Sequence, residues 1–137
     1  QTCALPICWG FAEPINIASI NRKDEIPSGK IKGLSITNVR CKGEGSIYIA
    51  GKDSAPIEDL TLNNIRLELE KTTKYPIKGY DFRPCCGPDF QEGKINGIYV
   101  KNAKNVKAEN LEVTVHDNMK EWVDKEICFE NAVVKEK

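Results

Sequence analysis

The sequence predicts an all-β protein, a right-handed parallel β-helix (solenoid) of about three to four C-terminal coils with a long loop insertion and a C-terminal cap. Three observations predict it. "IKGLSITNVR" (31–40) and "IEDLTLNNIR" (57–66) match position by position, Leu34 falling on Leu60, Ile36 on Leu62, Asn38 on Asn64 and Arg40 on Arg66, at an offset of 57 − 31 = 26 residues. "NVKAENLEV" (105–113) repeats the pattern again, at 110 − 64 = 46 residues. A second motif alternates with the first: "EPINIAS" (13–19), "GSIYIAG" (45–51) and "NGIYVKN" (96–102). Repetition at such a period marks units that cannot bury an apolar face alone and lie on their neighbours.

Spacing decides the type of element. Leu34 and Ile36, like Leu60 and Leu62, are two apart, and the apolar residue after each Asn (Val39, Ile65, Leu111) resumes three positions later. A helical stripe does not run this way, whereas a strand with one corner does. Asn tolerates a left-handed backbone, so Asn38, Asn64 and Asn110 are expected at corners, their side chains bonding along the stack.

The extra residues in the second offset fall between Lys71 and Gly93 in "TTKYPIKGYDFRPCCGPDFQEG", which has neither regular period and reads as the inserted loop. After His116 the register is lost. Met119, Trp122 and Val123 are expected to pack over the last coil, Trp122 as cap packing in preference to sugar stacking, and "ICFENAVV" (127–134) reads as a final strand pair with Asn131 at another corner.

Residues 1–8 are expected to be an artefact and are set aside, because "QTCALPI" resembles the translation of a common sequencing-adapter end. The domain reading therefore covers 9–137, and a stack this short is expected to continue into upstream coils of the same chain. No run of some eighteen apolar residues exists, so no membrane span is expected. Lys plus Arg and Asp plus Glu number 20 each, which gives no basic field for a nucleic acid. The six cysteines lack the paired spacing of a zinc site, and neither metal nor cofactor is expected. Cys85 and Cys86 offer one disulfide, with Cys128 as a partner, and buried or free thiols are the alternative.

Taken together, the Asn-cornered strands, "PIEDLTLNNI", "YDFRPC" (80–85) and "NGIYVKN" resemble the C-terminal coils of the pectin-lyase-like superfamily, most closely the polygalacturonase-like glycoside hydrolases of family 28. The resemblance covers roughly residues 9 to 134 and implies a secreted or periplasmic protein cleaving pectin-like, uronic-acid-rich polysaccharide with inversion. That chemistry needs one carboxyl as acid and a second to activate water. The family's Asn-Thr-Asp, Asp-Asp, Gly-His-Gly and Arg-Ile-Lys motifs are absent here. No catalytic residue is therefore assigned, and this chain alone is expected to be inactive.

A substrate cleft remains open to assignment, since anionic sugars are gripped by Arg and Lys and by aromatic faces. Trp9 and Glu13, Arg22 and Lys23, and Tyr80, Asp81 and Arg83 in the insertion are the candidate substrate-binding residues. Asp81 and Arg83 have a competing role in holding their loop by pairing, and His116 is expected to be a surface or satisfied histidine. A non-catalytic β-helix, carbohydrate-binding or structural, is the alternative to a hydrolase, with a polysaccharide lyase as a third reading.

Overall fold

The computed structural model describes residues 13–19, 21, 28–82 and 90–135. The alternating segments form strands: β1 (Ile15–Ala18), β2 (Ser35–Gly43), β3 (Ile47–Ala50), β4 (Ile57–Glu58), β5 (Thr61–Leu69), β6 (Gly79–Asp81), β7 (Phe90–Glu92), β8 (Ile98–Val115) and β9 (Ile127–Val134). All but β6 and β7 belong to one curled sheet whose pairings are parallel. The protein is all-β.

The offsets read from sequence are pairing registers. Ile36 of β2 lies beside Leu62 of β5, which lies beside Ala108 of β8; Val39, Ile65 and Leu111 follow, then Cys41, Leu67 and Val113. The second motif stacks in the same way, with Ile15, Ile47, Ile98 and Ile127 in one row and Ile17, Ile49, Val100 and Phe129 in the next. Like therefore meets like. Ile47, Ile49, Leu60, Leu62, Ile65, Ile98 and Val106 are fully buried, each contributing about 1.5–3 kcal/mol on leaving water.

Corners occur where expected and at further positions. Asn38, Asn64, Asn110 and Asn131 have φ of 56°, 54°, 53° and 47°. Asp59, Asn102 and Asn105 are left-handed too, at 57°, 50° and 56°, so β8 bends at three Asn residues while remaining one strand. The side chains connect the corners: Asn64 Nδ2 donates to Asn38 Oδ1 at 2.8 Å, Asn131 Nδ2 to Asn102 Oδ1 at 2.7 Å, and Asn105 Nδ2 to Asp59 Oδ1. Gly51 stands beside Asn102 because no side chain fits there. A Cβ would lie 2.5 Å from the Asn102 carbonyl oxygen and 2.6 Å from the Ile57 nitrogen.

The insertion differs from a plain loop. β6 and β7 pair antiparallel, Gly79 opposite Glu92 and Tyr80 opposite Gln91. At three residues each, these strands are too short to show a period. β6 and the residue after it lie on the outer face of β3 and β8, where Tyr48 and Tyr99 point away from the Ile47 and Ile49 row. Tyr80 stacks on Tyr48 at 4.7 Å and on Tyr99 at 5.4 Å, and Phe82 on Tyr48 at 5.4 Å. This roof buries both faces of β3.

The tail forms a 3-10 turn at Asp117–Met119 with Met119 fully buried, and Val123 bridges to Ile95. Packing over the stack is as expected, but β9 then extends the sheet by pairing with β8 instead of closing it, and Val133 is exposed. Cys41 and Cys128 are free thiols, so the pairing of Cys128 with Cys85 or Cys86 is not made. Cys85, Cys86 and residues 1–8 lie outside the described residues. Among the described residues no helix is long and apolar enough to cross a membrane.

Candidate functional site

Of the candidate substrate-binding residues, Trp9, Arg22, Lys23 and Arg83 lie outside the described residues. The structure brings Glu13, Tyr80 and Asp81 together. Glu13 Oε1 accepts the Asp81 backbone N–H at 3.1 Å, and Asn16 Nδ2 donates to the Asp81 carbonyl at 3.1 Å. These bonds tie β6 to the strand that starts the sheet. Burial raises the Glu13 carboxyl above its usual range, against the lowering effect of its hydrogen bonds and with a smaller push from the Asp81 charge. Tyr80 corrects the expectation of an exposed aromatic platform. Its ring is 2% exposed, and its hydroxyl accepts the Asn96 N–H at 2.7 Å, so it seals the roof and offers no face to a sugar. Burial also raises its phenol.

A different surface gathers charge. β2, β5 and β8 carry outward residues between their apolar ones, and parallel register turns these into rows: Arg40, Arg66 and Glu112, then Lys42, Glu68 and Thr114. Beyond the strand ends, Glu70 and His116 are pinned by backbone bonds, Glu70 N–H to the Gly43 carbonyl at 3.0 Å and His116 N–H to the Leu69 carbonyl at 2.9 Å. The face encloses a shallow hollow of about 400 Å³ whose lining includes Arg40, Lys42, Arg66, Glu68, Glu112 and Thr114.

Its charges are partly paired. Arg66 meets Glu112 at 3.1 Å, and Lys42 reaches Glu70 at 2.5 Å and Glu68 at 2.9 Å. Arg40 makes no ion pair among the described residues. His116 Nε2 lies 2.7 Å from Glu68 Oε1, the satisfied histidine expected. Hydrogen bonds from Lys42 and His116 lower the Glu68 carboxyl, and Glu70 and Glu68 together raise the Lys42 ammonium.

At the edge of this face Glu44 is buried and holds the start of the insertion. Its carboxylate takes the Lys71 ammonium at 2.7 Å, the Thr72 N–H at 2.7 Å and the Thr72 hydroxyl at 2.8 Å, with the Thr73 N–H and hydroxyl completing the set. Burial disfavours its charge, but these donors outweigh burial and bring it down to about 2. Trp122 is half-buried and lines a second hollow of about 460 Å³ with Ile77, Lys78, Glu92, Lys94 and Glu121.

The rows were legible in principle. The offsets that align the apolar positions also carry Arg40 to Arg66 (66 − 40 = 26) and Glu70 to His116 (116 − 70 = 46). Fold and face define an all-β protein with a mostly parallel, curled sheet and in-register charged rows. No family model matches the chain, and no curated protein or solved structure does either.

Proposed function

We propose that the chain is part of a right-handed parallel β-helix of the polygalacturonase-like kind. Its row-bearing face holds a uronic-acid-rich polysaccharide, in a secreted or periplasmic hydrolase whose catalytic acids stand on other coils. The observation that carries the reading is the register: a polymer laid along the stack meets Arg40 and then Arg66 at neighbouring strands, about 4.8 Å apart. Guanidinium groups bind carboxylates through paired charge-assisted bonds, so the Arg40 and Arg66 rungs suit the carboxylates of two successive sugars, with Glu112 ending the basic part of the row. The test is affinity electrophoresis in gels containing polygalacturonate or a neutral glucan. Retardation by polygalacturonate alone, relieved by the Arg40→Ala, Arg66→Ala double variant and by salt, is the expected result, without release of reducing ends. Equal mobility in all gels refutes the reading.

The pairing of Arg66 with Glu112 and of Lys42 with Glu68 and Glu70 favours a second reading, a β-helix whose face is a solvated structural surface. It predicts no retardation by any polysaccharide.

A further inference from the structure

Glu68, Glu70 and His116 stand apart from the arginine row by their geometry. One oxygen from each carboxylate and one imidazole nitrogen all lie within 4.8 Å of one another. Glu68 and Glu70 are two apart in sequence and share a face, and the ladder that pairs β5 with β8 sets His116 beside Glu70. The backbone of all three is thus fixed by sheet hydrogen bonds, which leaves only side-chain rotation to adjust the cluster.

A separate observation shows that a cation is already accommodated here: the Lys42 ammonium sits 2.9 Å from a Glu68 oxygen and 2.5 Å from a Glu70 oxygen. Lys42 is half-exposed on a flexible stem and can withdraw into water. One imidazole and two carboxylates are a donor set for zinc and related first-row ions, and a neutral imidazole is the form that ligates near pH 7. With zinc ligands at ~2.0–2.2 Å, tetrahedral donor atoms lie ~3.4 Å apart. Small rotations therefore close the cluster.

We propose that Glu68, Glu70 and His116 bind a divalent first-row metal ion, zinc by preference, in exchange for the Lys42 ammonium, leaving a coordination position open to water or ligand. The chain contains one histidine, so its imidazole signal in a nitrogen-15 NMR spectrum reports on His116 alone. Titrating the chain with zinc chloride should shift the Nε2 resonance saturably at one ion per chain. Glu70→Gln should weaken the effect by about tenfold or more, Lys42→Met should strengthen it, and both should leave the melting temperature nearly unchanged. An imidazole signal that does not respond while zinc binds to thiols overturns the proposal. So does a response that survives the Glu68→Gln, Glu70→Gln double variant unaltered.

Discussion

Replacing Asn64 by valine places a β-branched side chain at φ 54°, a backbone position where Cβ crowds the following carbonyl. The steric term is about 1–2 kcal/mol. Loss of the 2.8 Å bond to Asn38 Oδ1, which is exposed, adds about 0.5 kcal/mol. The total of about 2 kcal/mol corresponds to a fall in melting temperature of about 7 °C for a chain of this size. Asn64→Gly separates the two terms, because glycine accepts the left-handed backbone and loses the side-chain bond only. Thermal unfolding followed by circular dichroism should rank wild type above Asn64→Gly and Asn64→Gly above Asn64→Val. A valine variant melting within about 2 °C of wild type, or a glycine variant as damaged as the valine one, refutes the corner argument.

Glu44→Ala removes the acceptor for Lys71, Thr72 and Thr73 and leaves a largely buried ammonium unpaired, so urea unfolding should show a loss of about 3 kcal/mol. Because the folded carboxyl titrates at about 2 against an ordinary value of 4.5, its stabilisation is complete above pH 4.5 and fades as pH falls toward 2. Glu44→Gln should flatten the acid limb of stability against pH, and an unchanged limb would show that the carboxylate is not gripped as described. Tyr80→Phe keeps the roof but leaves the buried Asn96 N–H without its acceptor, costing about 2 kcal/mol in urea unfolding while leaving polysaccharide retardation unchanged. Weakened retardation at full stability would instead make Tyr80 a sugar contact.

What was legible in the sequence was what repeats. Strands, register, the Asn38, Asn64, Asn110 and Asn131 corners and the packed tail all follow from spacing, because parallel stacking sets equivalent residues side by side. The corner formed by Asp59 and Asn105 was missed because its register is the same but its residue type changes. The β6 and β7 pair was missed for a different reason. Its residues answer to the outer face of β3, a contact between segments about 30 residues apart that no local period encodes. Tyr80 therefore looked like a surface aromatic until its partners Tyr48, Tyr99 and Asn96 were placed. Of the site, the arginine row was encoded by the offsets, whereas the convergence of Glu68, Glu70 and His116 depends on where β5 and β8 end.

Among the described strands, β8 alone pairs with β3, β4, β5 and β9 together. Until its 18 residues leave the ribosome, β3 and β5 each have one unsatisfied edge, and among the described residues no other strand pairing joins β1 and β3 to β2 and β5. Joining these two sets of strands during synthesis therefore waits on β8. That interval is when partly made chains are most prone to stick to one another, and when a chaperone has most to protect.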